Sequence, residues 1–63
     1  MTEKEAKQRA REWSKRSGHI VFVQHFHGGY SISETIDHEG GWLKFSHGRL
    51  IETNLTGDLW VSP

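Results

Sequence analysis

Apolar and polar positions change their period once along this chain. Over the first seventeen residues the apolar side chains are few. Ala6, Ala10 and Trp13 stand at i, i+4 and i+7, which is one stripe on one face of a helix. Thr2 and Glu5 begin it as T-x-x-E, a pattern in which the hydroxyl and the carboxylate satisfy free backbone donors. Lys15 and Arg16 stand at its end, where the helix dipole favours cations. Gly18 can take the left-handed conformation that stops a helix. The pattern predicts a helix over about 3–17. Its stripe is narrow and mostly alanine, so the helix must lie close against a sheet with Trp13 as its only large anchor.

From His19 onward the period becomes two. His19 to Phe26 is rich in β-branched and aromatic residues and reads as a strand. Tyr30 to Asp37 alternates cleanly, with Tyr30, Ile32, Glu34 and Ile36 on one face. Between them, His27-Gly28-Gly29 closes as a three-residue hairpin. That register sets Phe26 opposite Tyr30 and gathers Ile20, Phe22, Gln24 and Phe26 on the face of Ile32 and Ile36. A two-residue Gly28-Gly29 turn instead groups Val21, Val23, His25 and His27 with Tyr30 and Ile32, because a slip of one residue exchanges the faces. The first register is preferred because it collects the larger apolar side chains.

Further turns follow at His38-Glu39-Gly40-Gly41, His47-Gly48 and Thr56-Gly57-Asp58. They delimit strands at Trp42–Ser46 and Leu50–Asn54, and a short fifth at Leu59–Val61. Turns at this spacing indicate antiparallel pairing and not βαβ crossovers. The expected fold is α+β: an N-terminal helix packed on one face of a four- or five-stranded antiparallel meander sheet, in a single small domain.

A single helix covers a single face of such a sheet. Val21 and Val23 alternate against Ile20 and Phe22, and Trp42 and Trp60 also need places. An alanine-lined helix cannot shield all of them. Exposed apolar surface on a small protein marks a partner or self-association surface, and aromatic residues dominate such surfaces. Val21, Val23, Tyr30, Trp42 and Trp60 are the candidate contact residues.

Composition narrows the chemistry. With 63 residues and no cysteine, the chain has no disulfide and no thiolate ligand or nucleophile, and it buries only ~60% of its unfolded surface. No apolar run approaches a membrane span, and the N-terminus carries no apolar secretion segment. A soluble, cytoplasmic protein is expected. Net charge is zero, yet residues 1–16 hold six basic against three acidic side chains, while residues 17–63 hold two against five. A nucleic-acid binder shows a basic excess over the whole domain; here only the helix does. Lys4, Lys7, Arg11 and Lys15 are the candidate phosphate contacts for that alternative. On the leading reading the same helix steers an acidic partner.

Histidine is the remaining chemical group of note. His25 and His27 share a face if the first strand reaches them, and His38 and His47 lie in turns. A zinc site needs three or four ligands, and His47 or Glu34 would complete one only if the third strand lay beside the first, which a plain meander does not imply. Ser46 and His47 adjoin, but neighbours on a strand point to opposite faces, so they form no nucleophile–base pair unless the turn bends them together. No metal, no cofactor and no catalytic residue is expected. In size and class the layout resembles small phage-encoded and bacterial accessory proteins, in which one short α+β domain binds a larger partner. No motif carries that likeness, and fold does not fix function. The expected role is a non-catalytic module that binds a protein partner or a second copy of itself.

Overall fold

The computed structural model describes residues 1–26, 28–37 and 40–55. Helix α1 spans Glu3–Ser17 and is followed by strands β1 (Val21–Phe26), β2 (Gly29–Ser33), β3 (Trp42–Ser46) and β4 (Arg49–Asn54). The helix starts where the sequence sets its cap. The Thr2 hydroxyl accepts the Glu5 N–H at 3.1 Å, and Glu5 Oε1 accepts the Thr2 N–H at 3.3 Å. It ends at Gly18, whose φ of 75° is left-handed and whose N–H reaches the Ser14 carbonyl. A fifth strand at Leu59–Val61, and Trp60 with it, lies outside the described residues.

All strand pairs are antiparallel, as expected, but the order across the sheet is β2-β1-β3-β4. The sheet departs from a plain meander at one point: β1 sits in the middle and β3 pairs with it, not with β2. The chain must then pass from β2 to β3 across β1. Gln24 marks that passage. Its side chain points away from the helix, is only 1% exposed, and accepts the Asp37 N–H at 2.8 Å through Oε1. The returning segment thus covers part of the second face.

The first hairpin differs from the preferred register. Phe26 pairs with Gly29, His25 with Tyr30 and Val23 with Ile32. Only residues 27 and 28 lie between the strands, and Gly29 opens β2 with a φ of 136°. The slip exchanges the faces. Val21 and Val23, proposed above as contact residues, point to the helix and are fully buried with Leu43, Phe45, Ala6 and Ala10; Tyr30 and Ile32 pack at the margin. Burial of Val21, Val23, Leu43 and Phe45 contributes about 1.5–3 kcal/mol each. The winning register puts the β-branched residues of β1 in the core and leaves Phe22 and Phe26 on the other side.

The helix stripe also differs from expectation. Ala6, Ala10 and Ser14 are the buried positions, and Trp13 is 38% exposed. Three small residues at i, i+4 and i+8 let α1 lie close on the sheet. Trp13 falls on the flank toward β2, where its Nε1–H donates to Glu34 at 3.1 Å.

Candidate functional site

Two surfaces are left once the core is formed. The first is the sheet face turned away from α1. There Phe22 and Trp42 meet edge to face, with ring centroids 5.5 Å apart. The Lys44 ammonium lies 6.0 Å from the Phe22 centroid and 3.7 Å from Glu52. Trp42 is half-buried, and the polar residues Ser31, Ser33, Lys44, Ser46 and Glu52 share its face. This face is mixed in character and partly closed by the segment at Asp37.

The second surface is strand β4. It is the outermost strand of the sheet, and α1 meets it less than it meets β1, β2 or β3. Leu50 pairs with Phe45, and Glu52 pairs with Lys44, so Ile51 is an extra residue inserted opposite β3. Leu50 therefore faces the helix side, on the strand that α1 meets least. Leu50 is 41% exposed, Ile51 52% and Leu55 46%. These residues were not singled out from the sequence. The available signal was the adjacent pair Leu50-Ile51: two neighbouring apolar residues cannot share one face of a regular strand, so a bulge or exposure was implied.

The four expected contact residues that are described do not form one surface. Val21 and Val23 are interior, Tyr30 is on the helix side at the hairpin, and Trp42 is on the opposite side. Tyr30 stacks on His25 at 4.5 Å and donates its hydroxyl to Glu3 at 3.3 Å. Burial, then the Glu3 carboxylate, pushes its phenol above the ordinary value. Glu3 in turn is held below the usual carboxylate range, first by its hydrogen bond to Lys7, whose Nζ lies 2.9 Å away.

The alternative set is brought together. Lys4, Lys7, Arg11 and Lys15 lie within one stripe at helical spacing. The stripe runs along the flank of α1 nearer β4: the Arg11 guanidinium sits 5.7 Å from the Phe45 centroid, and the Lys15 stem packs at Gly48. Two of these cations are engaged within the fold, Lys7 by Glu3 and Arg11 by the Phe45 ring, while only the stem of Lys15 packs at the turn.

The turn between β3 and β4 bends more than strand alternation implies. His47 has a φ of 51° and Gly48 of 82°, the two left-handed residues of a type I′ reversal. Ser46 Oγ and His47 Nδ1 thereby come within 3.0 Å, the case in which the turn bends the two together. Among the described residues no carboxylate is hydrogen-bonded to the other ring nitrogen of His47. His25 and His47 lie at opposite ends of the sheet, since β1 and β3 run antiparallel. No group of three metal-ligating side chains gathers among the described residues, and none of their helices is long and apolar enough to cross a membrane.

Searches against protein-family models, curated proteins and solved structures find no match to this chain.

Proposed function

We propose that this protein is a small non-catalytic interaction module that binds another protein, or a second copy of itself, through strand β4. The observation that carries the reading is the exposure of Leu50 and Ile51 on the strand that the helix meets least, and of Leu55 just beyond its end. Clustered apolar groups of this kind raise the free energy of the solvated state and are relieved by a partner. Trp42 and Phe22, half-buried on the far face, extend the contact surface around the sheet.

The nucleic-acid alternative rests on the stripe of Lys4, Lys7, Arg11 and Lys15. The zero net charge of the chain and the engagement of Lys7 and Arg11 within the fold weigh against it. Phosphate binding would show a steep loss of affinity with salt.

The test compares the intact chain with its Leu50→Asp/Ile51→Asp variant. Sedimentation at two concentrations reads self-association, and affinity capture from the native host reads other partners. The reading requires at least one of these signals in the wild type and its loss in the variant. A strict monomer whose captured proteins are identical for both chains contradicts it.

A further inference from the structure

We infer that the helix-facing side of β4, together with the adjoining flank of α1, is a shelf that takes an acidic amphipathic helix of a partner protein. The inference rests on the reading of β4 as an interaction surface and specifies what occupies it.

Width comes first. Neighbouring strands are about 4.8 Å apart, and a helix with its side chains is about 10 Å across. One helix thus covers roughly two to three strands of a four-stranded sheet. Here α1 lies mainly over β2, β1 and β3 and meets the edge strand β4 least, so that Leu50 on that margin stays 41% exposed. The floor of that margin is apolar at Leu50 and continues with Thr53, which pairs with Leu43 on the same side. A second helix beside α1 would bury the floor as α1 buries the core.

Charge selects the occupant. The wall of the shelf is formed by Arg11, over Phe45, and Lys15, at Gly48, and Lys4 and Lys7 continue the same stripe toward the helix N-terminus at helical spacing. Lys4 and Lys15 hold no ion pair among the described residues, and Lys7 is the one already bonded to a carboxylate, Glu3. The acidic residue of β4, Glu52, pairs with Lys44 on the far face and does not neutralise this wall. From Lys4 to Lys15 the stripe rises about 16 Å at 1.5 Å per residue. A facing helix with carboxylates at i, i+3 or i+4, i+7 and i+11 matches that rise.

The bulge selects a helix over a strand. An added strand needs a regular row of outward N–H and C=O groups. The extra residue at Ile51 breaks that row and twists the edge. A helix docks on side chains and is indifferent to it.

The experiment titrates the intact chain with synthetic peptides of roughly 15 residues, long enough to form helix. The probe peptide carries a leucine stripe flanked by glutamates. The controls replace glutamate by lysine, or leucine by serine, and a single-stranded oligonucleotide and a DNA duplex serve as polyanions without an apolar face. Backbone amide shifts should move at Arg11, Lys15, Leu50 and Thr53 with the acidic amphipathic peptide alone. Affinity should fall about tenfold in Lys4→Glu/Lys15→Glu and in Leu50→Ser, and stay unchanged in Arg16→Glu on the other flank. Equal binding of the lysine peptide, or no shift at millimolar probe, overturns the inference. So does an oligonucleotide that moves the same amides while the peptide does not. If the peptide fails but Leu50/Ile51-dependent capture or self-association persists, the occupant is wrong and the surface stands. If both fail, both readings fall.

Discussion

The Ser14 hydroxyl accepts the Gly48 N–H at 2.9 Å, joining the buried face of α1 to the β3–β4 turn. The same hydroxyl donates to the Arg11 carbonyl at 3.1 Å, so both functions of this fully buried group are used. Ser14→Ala leaves the Gly48 N–H without that acceptor and should cost about 1–3 kcal/mol. Denaturant unfolding measures it; an unchanged midpoint would show that the link is not needed. Gly48→Ala should also destabilise, because its φ of 82° disfavours a side chain and a Cβ would stand 3.3 Å from that of Lys15.

Gln24 ties the return from β2 to the middle strand. Gln24→Leu keeps the volume and removes the acceptor for the Asp37 N–H. Amide exchange at Asp37 should accelerate, and stability should fall by about 1–3 kcal/mol. Unaltered exchange at Asp37 would mean that the segment is held by other contacts.

Trp13 and Phe45 give opposite expectations from similar side chains. Phe45 is enclosed beneath α1, and Phe45→Ala should cost about 3–5 kcal/mol. Trp13 lies on the flank, and Trp13→Ala should cost about 1 kcal/mol, the worth of one hydrogen bond and partial burial. Equal costs would place Trp13 in the core after all.

Acid should weaken the fold through the helix N-terminus. Glu5 is held below its ordinary value of 4.5, first by the Thr2 N–H and then by the Thr2 hydroxyl, and Glu3 chiefly by its hydrogen bond to Lys7. A lowered carboxylate binds its proton more readily when unfolded. Its stabilisation is present above the unfolded value and is lost as pH falls through the folded one. The thermal midpoint should therefore decline as pH drops below 4.5, and less steeply in Glu3→Gln/Glu5→Gln. Thr2→Ala should cost about 1 kcal/mol at neutral pH. Identical acid profiles for wild type and the double variant would contradict this assignment.

The parts of the fold that were legible in the sequence are those with a local cause. Thr2, Glu5 and Gly18 set the ends of α1, and His47-Gly48 sets a reversal, because each acts within four residues of itself. The strand order was not legible. Nothing local tells β3 to pair with β1; the Gln24–Asp37 bond that goes with the passage joins residues 13 apart. Hairpin register was ambiguous because two glycines allow more than one loop length, and one step moved Val21 and Val23 from the expected contact surface into the core. Trp13 is the largest side chain of the predicted stripe yet lies on the flank, because close approach of helix and sheet favours the small residues Ala6, Ala10 and Ser14. The surplus of apolar sheet over helix was legible. Its place was not, since the exposure of Leu50 and Ile51 follows from β4 being the edge strand that the helix meets least and from the bulge at Ile51.

Unfolding of Leu50→Asp/Ile51→Asp in denaturant, beside the wild type, tests most directly whether β4 is surface and not core. Exposed positions tolerate substitution within about 0.5 kcal/mol each, so the account predicts nearly equal unfolding free energies, with partner capture or self-association lost. A loss of about 3 kcal/mol or more would show that these side chains hold the monomer together, and the docking surface would not exist.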